Sequence, residues 1–240
     1  MIVRQETDAL ILITQPDHAA LAATILEHWR ADGLPAHPLR HRIIEATRQH
    51  DIGWADEDAA PRLNVETGLP HDFITMPEDI RIAVWPRAVE TLRDTPYEAA
   101  LVAQHALALY RRDEGRPSVA PFLQRLAAER DRLFQTCQDT MPGATLASFM
   151  QAYALLSIAD LLSLIVCHGW TNTYDADHYR ATLAGDLLQV SPDPFGGAKV
   201  SFRIAGRRID RRTYATDDEL RDAYARAPTV WTEGTLTGVR

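Results

Sequence analysis

Leu146 to Cys167 is a run about as long and apolar as a membrane span, yet it carries an aspartate, Asp160, in its interior. An aspartate at mid-span costs about 2.5 to 3.5 kcal/mol on insertion scales, and Ser148, Gln151, Ser157 and Ser163 add further polarity. The run is therefore expected to be the central helix of a globular core. That places a carboxylate inside the protein, where an unpaired charge is costly enough that it neutralises or finds a cation.

The same conflict between residue type and position recurs elsewhere. His18 shares a helical stripe with Leu21, Ala22, Ile25 and Trp29, and His50 lies on the stripe of Ile43, Ala46 and Thr47, with Asp51 beside it. Leu101, His105 and Leu109 align, as do Leu156, Asp160 and Leu164. Taken singly, each position has an ordinary reading: a buried histidine is usually a hydrogen-bonded core residue, His50 could sit against a helix C-terminus, and Asp160 could accept from Trp54, Trp85 or an arginine. Taken together, His18, His50, Asp51, His105 and Asp160 form a mixed nitrogen and oxygen donor set. That set suits iron, manganese, zinc or cobalt, as one or two ions, and disfavours copper(I).

Local signals place these residues on helices. Thr14 caps a helix over 16–30, and a second spans 39–51 and is broken by Gly53. Thr75-Met76-Pro77-Glu78 and Thr95-Pro96-Tyr97-Glu98 read as capping boxes for helices over 76–93, kinked or broken at Pro86, and 96–112. Two more are expected from Ser118 to about Gln138 and from Thr145 to His168, and a short one from Thr216 to Ala225. Residues 2–4 and 9–13 read as short strands, and Lys199–Ile204 with Arg207–Arg211 as a hairpin turning at Ala205-Gly206. The segment from Gly53 to Thr75 has no periodicity and reads as a lid, with Asp56-Glu57-Asp58 as a solvated face. His71-Asp72 is expected in a surface loop. The fold class is therefore expected to be mainly α, with a small β-sheet appendage formed by the terminal strands.

The order of His18, then His50-Asp51, then Asp160 on a late helix resembles the ligand order of the HD superfamily, and His105 is similar to an extra histidine of several of its branches. Thr14-Gln15-Pro16-Asp17-His18, His50-Asp51-Ile52-Gly53-Trp54 and Pro192-Asp193-Pro194-Phe195 more narrowly resemble an uncharacterised bacterial family of HD-like proteins. The resemblance implies an HD-like helical bundle over 1–190, with a C-terminal β-hairpin and helix, 191–240, packed on the same domain. It also implies a metal-dependent hydrolase, phosphoester-type, with Asp51 and His105 as catalytic residues. An HD-like di-iron oxygenase and a non-catalytic small-molecule sensor with a structural metal are the alternatives.

The formal charge of -8 leaves no basic footprint for a phosphate backbone, so nucleic acid is not expected as a partner. Cys137 and Cys167 are the only cysteines and stand in no metal-binding cluster, which fits a reducing compartment. No signal peptide is evident, so the expected location is the cytoplasm. The expected partners are a small-molecule substrate of anionic character and, where it forms, a homodimer, without a membrane. Arg48, Arg87 and Arg111 are the candidates to hold an anionic group.

Overall fold

The computed structural model describes residues 1–239. The chain opens with β1 (Ile2–Gln5) and β2 (Ala9–Ile13), an antiparallel pair in which Ile2 faces Ile13. All five residues of β2 are buried, as expected of an apolar run inside a sheet. Helix α1 (Gln15–Glu27) follows, its start set by Thr14, whose hydroxyl oxygen accepts the Asp17 N–H at 3.1 Å. Helix α2 (Arg40–Gln49) ends at His50, and a 3-10 turn at Ile52–Trp54 leads into the five-residue α3 (Ala55–Ala59).

The segment read as an aperiodic lid is ordered. Besides α3 it contains a two-residue ladder of β3 (Leu63–Asn64) with β4 (Leu69–Pro70). Glu57 and Asp58 are buried, Glu57 held by Arg62 and Arg87 and Asp58 by the Met1 ammonium, so only Asp56 of that triplet is solvated. His71-Asp72 lies in a loop, as expected, partly exposed, and Asp72 accepts the Val3 N–H at 2.9 Å.

Four further helices complete the helical layer: α4 (Glu78–Thr91), α5 (Pro96–Leu109), α6 (Ala120–Thr140) and α7 (Leu146–His168). α4 continues through Pro86 as one element. Neither expected capping box forms, because Thr95 Oγ1 donates to the Leu92 carbonyl and Thr75 Oγ1 to that of Asp72, while Glu98 pairs with Arg42. The box forms instead at α7, between Thr145 and Ser148, and Gly169 ends that helix in the left-handed conformation at φ 69°. Among the described residues α7 is the one helix long and apolar enough to cross a membrane, but 61% of its apolar window is buried within the fold against α1, α2 and α5.

The expectation of a mainly α, HD-like helical bundle with a small sheet appendage is not met. Half the chain is helical, but the sheet is large and curled into a half-barrel of seven strands. Beyond β1 and β2 it contains β5 (Thr173–Ala176), β6 (Tyr179–Ala184), β7 (Leu187–Ser191), β8 (Lys199–Asp210) and β9 (Thr229–Gly238), with α8 (Asp217–Arg226) between the last two. The order is β1-β2-β8-β9-β7-β6-β5, antiparallel except where β7 runs parallel to β9. In β6 buried Tyr179, Ala181 and Leu183 alternate with Arg180, Thr182 and Ala184, and in β7 Leu188 and Val190 are buried, so a period of two is present, but over runs of only five or six residues.

The hairpin expected at Ala205-Gly206 is also absent. β8 passes through both residues as one strand, and Gly206 is there for contact: a Cβ would lie 2.5 Å from Ile11 Cγ2 on the neighbouring β2. Gly53 does the same between the turn after α2 and α4, where a Cβ would fall 1.9 Å from the Val84 carbonyl oxygen. Because that clash is with backbone, it cannot be relieved by a rotamer change. Gly53→Ala is expected to lower stability by about 1 to 3 kcal/mol or more, read as a lower urea midpoint at unchanged slope.

Candidate metal centre

Five buried polar side chains converge where α1, α2, α5 and α7 meet. His18 comes from the first turn of α1, His50 and Asp51 from the end of α2, His105 from α5 and Asp160 from the middle of α7. Their exposures are 0% for both His18 and His50, 3% for His105, 6% for Asp51 and 9% for Asp160. Every residue that the sequence singles out for the site is thus brought to one place.

The carboxylates stand among the rings. His18 Nε2 is 3.0 Å from Asp51 Oδ2 and 3.6 Å from Asp160 Oδ1, and His50 Nε2 is 3.6 Å and 3.3 Å from the same two atoms. His105 Nε2 lies 3.7 Å from Asp160 Oδ2. Ligands in adjacent positions about 2.1 Å from an ion are separated by about 3.0 to 3.4 Å, close to these spacings. Two groups of donor atoms could hold a metal ion, His18 with His50 and Asp51, and His50 with His105 and Asp160.

The outer contacts determine which nitrogen faces inward. Ser163 Oγ–H donates to the Asp160 backbone carbonyl at 2.8 Å, so its oxygen is left to accept from His18 Nδ1–H at 2.7 Å. His50 Nδ1–H donates to the Thr47 carbonyl at 2.7 Å. In the neutral rings Nε2 therefore carries the lone pair, and in both it points at carboxylate oxygens. His50 Nε2 is buried and not aligned for a hydrogen bond with either aspartate. A lone pair facing an anionic oxygen at such distances needs a cation between them, a proton or a metal ion.

The titration behaviour of the ion-free cluster follows. Burial works against a charge on His50, but Asp51 and Asp160 outweigh it and raise its pKa to about 9. Burial likewise opposes ionisation of Asp51 and Asp160, and the imidazoles outweigh it, holding both below the usual carboxylate range. At His105 burial prevails over the nearby Asp160 and brings the pKa down to about 4.

Asp51, His105 and Asp160 also line a cavity of about 210 Å³ walled by Trp54, Phe73, Trp85 and Leu164, so the cluster has an approach from outside. The arginines expected to hold an anion lie elsewhere. Arg48 pairs with Glu27 and Glu45, Arg87 with Glu57, and Arg111 lines a separate groove beside α6. Arg81 borders the cavity instead. It escaped notice because an arginine on a half-polar helix has no distinguishing pattern, although its place one turn before Trp85 was a usable signal.

Fold and site together define an α/β protein with a buried His/Asp cluster able to hold a metal ion. The chain belongs to the family described as "Protein of unknown function (DUF3891)", whose model matches residues 1–211. No HD-domain family matches, which, with the seven-stranded sheet, overturns the resemblance to the HD superfamily; a similar ligand order is carried here on a different scaffold. No curated protein and no solved structure matches the chain.

Two outcomes are expected. His50 binds its proton more tightly folded than unfolded, so that stabilisation is complete below pH 6.5 and lost as pH rises through about 9. His105 behaves oppositely, its contribution being present above pH 6.5 and lost as pH falls through about 4. Melting temperature in chelator should therefore peak near pH 6.5, and added divalent metal should remove the alkaline decline by replacing the proton on His50. Ser163→Ala should weaken metal affinity about 10- to 100-fold in a competition titration against a chromophoric chelator, with the fold intact.

Proposed function

We propose that this protein is a metal-dependent hydrolase of small phosphoesters, with His18, His50, Asp51 and Asp160 around one divalent ion and His105 at its side. The observation that carries this reading is the inward-facing Nε2 lone pairs of His18 and His50, set against two buried carboxylates at the floor of an accessible cavity. An imidazole nitrogen has one lone pair to share. The two candidate groups have His50 in common, which favours one coordination sphere over the two that a di-iron oxygenase needs. Neutral nitrogen with carboxylate oxygen suits zinc, manganese, iron or cobalt.

Such an ion, when bound, supplies Lewis acidity and brings the pKa of water to about 7. The residues of the chain do the rest. Two carboxylates balance a divalent charge, and Asp51, lining the cavity, is placed to accept a proton from the attacking water and keep its oxygen directed inward. His105, kept neutral by its burial, presents a nitrogen to the cluster rather than a proton to the leaving group. In the reaction the water oxygen bonds to phosphorus, the P–O bond to the alcohol breaks, and the proton taken from water ends on the departing oxygen. A cytoplasmic location accords with two buried, unpaired cysteines, Cys137 and Cys167.

Purified protein should contain near-stoichiometric metal by elemental analysis, and His50→Ala should lose it while remaining folded. The loaded protein should hydrolyse small phosphomonoesters, and Asp51→Asn should lower kcat by about 10²- to 10⁴-fold. Wild type that is inert toward a broad phosphoester panel with each common divalent metal contradicts the assignment.

A further inference from the structure

Unpartnered polar atoms are uncommon in a folded interior, and among the described residues four that carry one, Gln15, Arg81, Trp85 and His105, line the cavity at the cluster. Gln15 Oε1, Arg81 Nε and Trp85 Nε1 are all buried without a hydrogen bond, and all three residues line that cavity. Trp85 Nε1 makes no aligned hydrogen bond, although the Tyr110 hydroxyl oxygen beside it, whose O–H donates to the Arg81 carbonyl at 3.1 Å, is free to accept one. Arg81 pairs with no carboxylate among the described residues; Asp113, which also lines the cavity, is engaged by Arg116 at 3.2 Å. A half-buried guanidinium that pairs with no carboxylate and lines the cavity is a receptor for an anionic oxygen group.

The position of this receptor relative to the cluster limits what can span both. Trp85 stacks edge-on against His105, with ring centroids 5.8 Å apart, so the indole belongs to the cluster end of the cavity. Arg81 is four residues earlier on the same face of α4, about 6 Å further along the helix axis. The other walls are aromatic and aliphatic, from Trp54, Phe73 and Leu164. The volume, about 210 Å³, falls below the range of about 300 to 1,000 Å³ typical of sites for drug-sized ligands, which excludes burial of a nucleotide or an oligosaccharide.

Resting on the hydrolase reading above, we infer that the substrate is a small, doubly functional anion: its scissile phosphoester at the His/Asp cluster, a short flat or apolar body against Trp54 and Phe73, and a second anionic group held by Arg81. The Gln15 amide, which can present either its oxygen or its NH₂ group, is left to meet a polar atom of the body.

The test uses two non-hydrolysable probes, phenylphosphonate and 4-carboxyphenylphosphonate, titrated calorimetrically into metal-loaded full-length protein. The carboxylate-bearing probe should bind about tenfold or more tighter, as expected for a charge-assisted pair. Arg81→Ala should abolish the preference with metal content unchanged, and Arg81→Lys should restore part of it. Equal affinities in wild type, or a preference that survives Arg81→Ala, overturn the inference while leaving the metal-dependent hydrolase intact. Protein that takes up no metal and binds neither probe overturns the hydrolase reading itself, and this inference with it.

Discussion

Two carboxylates and three imidazoles occupy one buried volume, and their charges do not balance by themselves. With Asp51 and Asp160 ionised, a proton on His50 leaves the cluster one positive charge short of neutrality, whereas a divalent cation closes the difference. The outer hydrogen bonds sharpen the demand, since Ser163 and the Thr47 carbonyl hold the Nδ1 protons of His18 and His50 and turn both lone pairs inward. A buried carboxylate left without its partner is among the more destabilising changes a core can suffer. The meeting of α1, α2, α5 and α7 is therefore organised by this electrostatic requirement as well as by apolar packing.

The scaffold around the cluster is arranged to hold it. α7 contributes both Asp160 and, three residues later, Ser163, so one helical turn supplies a carboxylate and the hydroxyl that orients the opposing ring. Gly53 allows the turn after His50-Asp51 to lie directly on the α4 backbone, which brings Trp54 and Trp85 into the walls of the same cavity. α1 lies against β8 and α7 against β1, so the curled sheet backs two of the helices that carry residues of the cluster. The order of the 53–75 segment matters for the same reason: Phe73 reaches the cavity while its neighbour Asp72 ties the loop to the Val3 backbone.

The helices and the site were largely legible in the sequence, and the sheet was not, for reasons that particular residues illustrate. Apolar spacing of three and four brought His18 onto the stripe of Leu21 and Ile25, and the same rule carried His105 and Asp160 inward. Polar residues on such stripes stand out because burying them is costly. Strands of the Tyr179–Ala184 kind give less contrast, since only three side chains, Tyr179, Ala181 and Leu183, turn inward over a run of six. Gly206 misled in another way: a glycine between alternating segments signals a turn, but here it serves a close approach to Ile11 within one continuous strand. Ligand order alone could not report the scaffold, because the same few donors can be assembled by helices backed by other helices or by a sheet. Arg81 shows the remaining gap, for its place one turn before Trp85 hints at the cavity, but that it pairs with no carboxylate among the described residues is visible only in three dimensions.

The most direct test of the central claim is an anomalous difference map, from crystals of protein purified without added metal, measured on both sides of the absorption edge of whichever metal is present. One peak is expected, about 2.0 to 2.2 Å from His18 Nε2, His50 Nε2 and oxygens of Asp51 and Asp160. A map without a peak there, in a structure where those side chains keep their places and His50 is held by a proton alone, would show that the cluster is a structural ion-pair network.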